Sequence, residues 1–195
     1  MPKSRLGSLT NEVRECTLCS EYLPFEPRPI LSPSSTAKVL IIGQAPGAKV
    51  HTTGVPWNDP SGDKLREWMG IGRDIFYKNK KIAIVPTAFC YPGKGPSGDL
   101  PPRPECAPLW HPKLLKLMPN IELTLLIGMY AQNYYLKEDR KRTLTETVQA
   151  WEEYLPQYLP MPHPSPRNRI WLKKNPWFEK EVVPMLKERI QGLLV

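Results

Sequence analysis

The sequence predicts an α/β fold, a single three-layer α/β/α domain over residues 1–195 with a four-stranded parallel central sheet. A chain of 195 residues has room for one substantial core but not for two ordinary ones. Short apolar runs alternate with helical patterns along the chain. Strands that alternate with helices in this way form parallel sheets covered on both faces.

Four segments predict the strands of this sheet, and they occupy residues 38–42, 81–85, 122–127 and 158–161. The first three, KVLII, KIAIV and ELTLLI, are almost continuous apolar runs, which is the pattern of a strand buried on both faces. The fourth, YLPM, is a weaker pattern and leads directly into a proline-rich stretch.

Helical patterns lie between and around these strands. The predicted helices occupy residues 8–16, 61–69, 104–117, 131–136, 143–154 and 177–193. The second of them places Leu65 and Trp68 on one face, as expected for a helix that packs on a sheet. The 24 prolines are concentrated between the elements and predict stiff, ordered loops.

Three unusual stretches follow predicted strands: GQAPG after the first, PTAFC after the second and HPSPRN after the fourth. The ligand crevice of an open α/β sheet lies beyond the carboxyl ends of its strands, so we expect these loops to meet at one edge. HPSPRN holds His163 in a run that neither a helix nor a strand accommodates well. His163 is therefore either a functional side chain or a packed loop residue.

The composition limits the classes of partner. The chain has 27 Lys and Arg against 19 Asp and Glu, a net charge of +8 and a pI near 9.3. This excess suits a polyanion such as nucleic acid, although many basic domains bind none. No apolar run approaches the roughly 20 residues that cross a membrane, and MPKSRLGSLTNEVRE lacks the apolar block of a signal peptide. We expect a monomeric cytoplasmic protein with no membrane partner.

The four cysteines are spaced as Cys16-x2-Cys19 and Cys90-x15-Cys106. A pair two residues apart can direct both sulfurs to one centre, and two more thiolates would complete a tetrahedral set for zinc or a [4Fe–4S] cluster. Spacing alone does not distinguish these groups. The other interpretation is four ordinary buried thiols, kept reduced in the cytoplasm.

Taken in order, the motifs CxxC, IIGQAPG, TTGVPW, C-x15-C, IGMYA and HPSPRN resemble the uracil-DNA glycosylase superfamily, most closely its iron–sulfur families four and five. The resemblance spans residues 15–175. It implies a four-stranded parallel sheet between helices. It also implies a structural [4Fe–4S] cluster, rather than zinc, on Cys16, Cys19, Cys90 and Cys106.

The resemblance implies catalytic roles for three residues. His163 matches the histidine that donates a hydrogen bond to a uracil carbonyl oxygen as negative charge develops there. Gln44 stands where family four has glutamate and family five an apolar residue, and a glutamine can position the attacking water but is no base. Asp59 lies near a family-five aspartate proposed to orient that water, and it is also suited to cap the following helix.

The base-binding residues implied by the resemblance are Gln44, Ala45, Trp57, Asn58, Thr87 and His163. Trp57 matches a phenylalanine that stacks on the extruded uracil, with core packing as the other interpretation. The asparagine with which the family reads the uracil edge is replaced here by Pro86, which has no N–H donor. Asn58, Thr87 or backbone groups are expected to substitute for it.

The DNA-binding residues implied by the resemblance are Gly47, Ser165, Arg167 and Asn168. In the family, the loop corresponding to HPSPRN enters the minor groove of DNA. Arg167 would there fill the gap left by the flipped base or contact phosphate, and the other interpretation is a solvated surface charge. Ser165 is expected to hold a phosphate through its hydroxyl and its backbone amide.

These features predict a monofunctional DNA glycosylase that flips uracil out of DNA and hydrolyses its N-glycosidic bond, which starts base excision repair. The motifs contain no catalytic lysine, which disfavours a lyase step. Because Gln44 and Pro86 depart from the family pattern, two alternatives stay open. One is removal of another deaminated base, hypoxanthine or xanthine, and the other is lesion binding with little turnover.

Overall fold

A computed structural model describes residues 4–96 and 98–195. The strands are β1 (Val39–Ile42), β2 (Ile82–Ile84), β3 (Lys94–Gly95), β4 (Gly98–Asp99), β5 (Leu123–Ile127) and β6 (Tyr158–Met161). The helices are α1 (Arg5–Arg14), α2 (Ala48–Thr53), α3 (Pro60–Met69), α4 (Arg73–Lys78), α5 (Cys106–Lys116), α6 (Met129–Leu136), α7 (Leu144–Gln149), α8 (Arg169–Lys174) and α9 (Val183–Leu194). The predicted α/β class is confirmed.

The central sheet contains four parallel strands in the order β2–β1–β5–β6. Strand β1 shows why both faces are covered. Val39 and Ile41 belong to one buried cluster, and Leu40 and Ile42 belong to another, because successive side chains of a strand point to opposite faces. Helices α3, α4 and α9 contribute to the first cluster, and α1, α5 and α6 to the second. The predicted three-layer arrangement is confirmed.

The strand order opens a crevice at one place along the sheet. From β1 the chain first adds β2 on one side, and it then returns to add β5 on the other side of β1. The order in which strands are added therefore reverses at β1. Ligands of open α/β sheets bind at such a point, beyond the carboxyl ends of the strands. Strand β6 lies at the edge, where Pro160 is tolerated because an edge strand leaves one side unpaired.

The predicted helices are present with shifted or divided boundaries. The first begins at Arg5, because Ser4 caps it by accepting a hydrogen bond from the Gly7 amide at 3.1 Å. It ends at Arg14, so Cys16 lies beyond the helix. The segment predicted as one helix over 143–154 is divided into α7 and a 3-10 turn, Trp151–Tyr154. The last segment begins with a π-helical turn, Phe178–Val182, before α9.

Several short elements were not predicted. They are α2, α4, α8 and a two-stranded antiparallel hairpin of β3 and β4 within the proline-rich stretch. Residues 1–3 and 97 of the predicted domain lie outside the described residues. Among residues 4–96 and 98–195, none of the helices combines the length and the apolar character that crossing a bilayer requires.

Candidate active site

A cavity of about 530 Å³ opens beyond the carboxyl ends of β1, β5 and β6. Its walls come from the GQAPG loop after β1, from Gly128 and Met129 after β5, and from the HPSPRN loop after β6. The PTAFC loop contributes Pro86. The volume falls within the roughly 300–1,000 Å³ of small-molecule sites and is ample for one nucleobase. The predicted meeting of these loops at one edge is therefore observed.

Most of the residues predicted to form the site line this one cavity. They are Gln44, Ala45, Gly47, Trp57, Asp59, His163, Ser165, Arg167 and Asn168. Segments far apart in the sequence are thus brought together.

Asn58 and Thr87 are placed differently from the prediction, since neither lines the cavity. The side-chain oxygen of Asn58 accepts a hydrogen bond from Arg73 at 2.6 Å, which points it toward α4. Thr87 is only 5% exposed, and its hydroxyl donates to the carbonyl oxygens of Gly43 at 3.1 Å and Gln44 at 2.5 Å. The Thr87 hydroxyl therefore holds the glycine turn in place and does not line the cavity.

Trp57 and His163 face each other within the cavity. Their ring centroids are 5.6 Å apart and the planes are inclined by 32°. The outer edge of the indole packs against Gly43, where a Cβ atom would lie only 2.8 Å from Cζ2 of Trp57. Glycine at this position is thus required by the close approach of the ring. The HPSPRN loop is braced from within, because the Asn168 amide donates to the His163 carbonyl oxygen at 2.7 Å.

The backbone of Trp57 is held in the left-handed region, with φ of 57°. Such a conformation is costly for a bulky residue and persists only where neighbours enforce it. The buried Arg66 donates to the Trp57 carbonyl oxygen at 3.2 Å. The Tyr77 hydroxyl donates to the carbonyl oxygen of Pro56 at 2.9 Å, and Gly62 leaves room for the Trp57 carbonyl group. These contacts aim the indole into the cavity.

Gln44 extends across the end of β5. A Cβ atom on Gly128 would lie 2.8 Å from the Gln44 side-chain nitrogen, so the amide lies directly over this glycine. Gly128 also has a positive φ of 83°, which favours glycine for a second reason. The Gln44 side chain thereby connects the first loop with the end of β5 along the wall of the cavity.

Two carboxylates lie at the cavity. Asp59 caps α3, since one of its oxygens accepts from the Gly62 amide at 2.8 Å, and it also lines the cavity. Asp59 is therefore the helix cap that one interpretation expected, and its expected role in orienting water stays a prediction. Asp99, on β4, was not predicted from the sequence. Asp99 lies in the proline-rich stretch between Cys90 and Cys106. In the segment SGDLPP, its acidic side chain was the one feature that could have indicated a site residue.

Burial sets the charge state of His163. Desolvation lowers the pKa of the imidazole below its ordinary value of 6.5, while the nearby carboxylates of Asp59 and Asp99 act in the opposite direction. Desolvation is the larger effect, so the ring is neutral at neutral pH. A neutral imidazole offers one N–H donor to a ligand oxygen.

We expect the titration of His163, followed by NMR of labelled imidazole, to have its midpoint below 6.5. Asp59→Asn should lower the midpoint further, because it removes a charge that favours the imidazolium ion. Asp74→Asn is the control, since Asp74 is an exposed residue of α4 paired with Lys78. A midpoint at or above 6.5 in the unaltered protein would contradict this description of the site.

A second, smaller cavity is lined by Cys16, Cys19, Cys90 and Cys106. All four thiols are free, and the remaining wall is mostly apolar, including Phe89 and Trp110. The predicted cysteine set is therefore brought to one place from the end of α1, the loop after β2 and the start of α5. Within residues 4–96 and 98–195, no three Cys, His, Asp or Glu side chains are arranged to hold a metal ion.

Burial keeps the thiols of Cys90 and Cys106 protonated. Desolvation raises the pKa of Cys90 to about 11 and that of Cys106 to about 12. Hydrogen bonds from the backbone of Arg28 and Phe89, respectively, act in the opposite direction. Any metal group bound here would have to displace the thiol protons.

A buried histidine lies between the two cavities. His111, on α5, is 1% exposed, and its Nε2 lies 2.9 Å from the Pro86 carbonyl oxygen. Its Nδ1 lies 2.5 Å from the Tyr135 hydroxyl, and desolvation lowers the His111 pKa to about 4. A neutral ring that donates to Pro86 and accepts from Tyr135 satisfies all three groups. The Pro86 carbonyl oxygen thus accepts its hydrogen bond from His111, within the protein.

The fold and the cavity define a class of protein. It is a three-layer α/β protein whose crevice at the sheet switch point combines a neutral imidazole, an indole ring, an amide and two carboxylates. The family model described as the uracil DNA glycosylase superfamily matches residues 29–187. The chain belongs to this superfamily, whose members are DNA glycosylases, and the resemblance to the superfamily is confirmed. Its closeness to families four and five stays a prediction. The match includes Cys90 and Cys106 but begins after Cys16 and Cys19.

Proposed function

We propose that the protein is a monofunctional DNA glycosylase that extrudes uracil from DNA and hydrolyses its N-glycosidic bond, as the first step of base excision repair. One observation carries this proposal. His163 and Trp57 lie 5.6 Å apart, ring to ring, in a base-sized cavity together with Gln44. An extruded base needs a stacking face and a polar group aimed at its edge, and these residues supply both.

The chemistry requires stabilisation of two opposite charges. Breaking the bond leaves the electron pair on uracil and positive charge on the sugar. The neutral His163 donates a hydrogen bond to a uracil carbonyl oxygen, where negative charge develops in the transition state. Trp57 stacks on the ring, an interaction worth roughly 1–3 kcal/mol per base.

A water molecule must be directed at the sugar from the opposite side. Asp59 uses one carboxylate oxygen to cap α3, which fixes its orientation and leaves the other oxygen for water. The Gln44 amide, held over Gly128, orients the same water without acting as a base. The carboxylate of Asp59 thus supplies the negative charge that glutamine lacks.

A second candidate function is removal of another deaminated base, hypoxanthine or xanthine, and one observation favours it. The segment that would read the base edge offers no side-chain donor there. Pro86 has no N–H, its carbonyl oxygen faces His111, and Thr87 faces the glycine turn. Base selection would then depend on cavity shape, Gln44 and the backbone.

The DNA-binding surface surrounds the cavity mouth. Ser165, Arg167 and Asn168 lie on the rim formed by the HPSPRN loop, and Gly47 lies on the rim formed by the first loop. A strip of exposed basic residues continues from this rim along α8 and consists of Arg167, Arg169, Lys173 and Lys174. Cationic side chains in a row suit a phosphate backbone.

Arg167→Ala should weaken activity on double-stranded substrate more than on single-stranded substrate. The Arg167 guanidinium lies beside Gly98 of the β3–β4 hairpin, and we expect it to enter the gap left by the base. Because unstacking costs a few kcal/mol only in a duplex, we expect kcat/KM to fall about tenfold more on duplex DNA. Arg169→Ala is the matched control, because it removes the same charge from the first residue of α8. It should lower activity on both substrates by the same factor. Equal losses for Arg167→Ala would argue against a wedge.

We also propose that Cys16, Cys19, Cys90 and Cys106 hold a [4Fe–4S] cluster. The donor types support this proposal, because all four thiols line one small cavity and cysteine thiolates are the usual ligands of such clusters. The cluster would be structural, tying the end of α1 to the loop after β2 and to α5. Cys90 and Cys106 also bracket the β3–β4 hairpin, so a group held between them would fix the hairpin beside the active site.

The proposed function is tested by base release. Oligonucleotides containing uracil, hypoxanthine or xanthine, single- and double-stranded, are incubated with the protein, and abasic sites are cleaved with alkali. Breaks at uracil support the proposal, and breaks only at another base support the second candidate. Tight binding without breaks would instead indicate a lesion-binding protein.

A further inference from the structure

The β3–β4 hairpin brings an additional acidic side chain to the cavity. Asp99 is exposed at the mouth and lines the same cavity as His163. Two contacts locate its carboxylate group. One oxygen would lie 3.3 Å from a Cβ atom on Gly47, and the other lies 3.5 Å from the Tyr91 hydroxyl. The carboxylate is also close enough to His163 to favour its charged form.

We propose that Asp99 is a second catalytic carboxylate, which faces the deoxyribose and stabilises the positive charge that develops on it. This inference rests on the proposed glycosylase function. The largely buried Tyr91 would be a positioning residue, because its hydroxyl lies beside the carboxylate.

The position of the Asp99 carboxylate at the cavity mouth is explained by the reaction and not by DNA binding alone. A carboxylate at the mouth of a DNA site repels phosphates, so it weakens binding of the substrate. A fixed negative charge becomes favourable only when the sugar becomes positive, and bound DNA would exclude water and strengthen that attraction. Asp99 therefore acts on the transition state and not on the bound substrate.

The step is a hydrolysis with no other reagent. The bond between C1′ and the base nitrogen breaks, and its electron pair leaves with the base. A water oxygen bonds to C1′, and the proton that it loses passes to solvent. The base anion takes up a proton from solvent. The negative charge of Asp99 stabilises the positive charge on the sugar, whereas His163 stabilises the negative charge on the base.

The rate of base release in a single turnover distinguishes a catalytic role of Asp99 from that of an ordinary surface residue. Asp99→Asn should slow the chemical step about 100-fold, the usual order for loss of one electrostatic group. Asp99→Glu should restore part of the rate. Asp74→Asn, which removes an exposed carboxylate from α4, should match the unaltered protein. Because Asp99 is exposed, these variants should melt like the unaltered protein.

Binding to an oligonucleotide with 2′-fluoro-2′-deoxyuridine, which resists cleavage, is measured beside the rate. Asp99→Asn should bind it as tightly as the unaltered protein, or more tightly. An unaltered rate for Asp99→Asn, or a rate loss matched by an equal loss of binding, would overturn the role of Asp99 alone. If the unaltered protein releases no base from any substrate, the proposed function fails and this inference falls with it.

Discussion

Replacing His163 with alanine is expected to slow uracil release by about 100- to 1,000-fold, the cost of losing one preorganised donor at a developing oxyanion. The imidazole is the polar group that faces Trp57 in the cavity, at 5.6 Å between ring centroids. Its hydrogen bond strengthens as the base acquires charge, so the loss should appear in kcat more than in KM. Single-turnover kinetics with excess protein measure the effect.

His163→Gln provides the matched comparison for that variant. Glutamine keeps an N–H donor of similar reach, so we expect a smaller loss than with alanine. Affinity for uncleavable 2′-fluorouridine DNA should change little in either variant. Near-normal turnover by His163→Ala would remove the histidine from the mechanism.

Cys90→Ser is expected to remove the bound cluster and to lower the melting temperature by more than about 10 °C, because metal binding is coupled to folding. Cys90 lies in the loop that joins β2 to the hairpin, and its cavity also contains thiols from α5 and from the segment after α1. Loss of the cluster would release these connections together. Iron and sulfide content, visible absorbance and a melting curve measure the effect.

Leu18→Ala is the control for this variant. Leu18 lies between Cys16 and Cys19, is 57% exposed and does not line the cysteine cavity. It should leave both the cluster and the melting curve unaltered. Zinc in place of iron and sulfide would refute the choice of cluster. An unchanged melting curve for Cys90→Ser would refute a structural role for any bound group.

The fold was predictable where the pattern was strong. The strand residues VLII, IAI and LTLLI are buried on both faces of the sheet, and that burial requires the continuous apolar runs that identified them. Helix α2 was missed because only six residues form it and Gly47, at its N-terminus, provides no capping side chain. The β3–β4 hairpin was missed because strands of two residues have no periodicity.

The site was predictable where a loop directly follows a strand. His163, Gln44 and Trp57 meet in the cavity as the motifs implied. Asn58 was misplaced because its partner, Arg73, comes from α4, and a sequence pattern does not show such a tertiary contact. Thr87 was misplaced because its hydroxyl binds the neighbouring loop's carbonyl groups. Asp99 was missed because it reaches the cavity only through the position of the β3–β4 hairpin, which the sequence did not predict.

The most direct test is a crystal structure of the protein with DNA that contains 2′-fluoro-2′-deoxyuridine. We expect the uracil ring outside the base stack, against the Trp57 indole, with one carbonyl oxygen within hydrogen-bonding distance of the His163 imidazole. A uracil that stays stacked in the DNA, or that binds away from the cavity beyond β1, β5 and β6, would contradict this account.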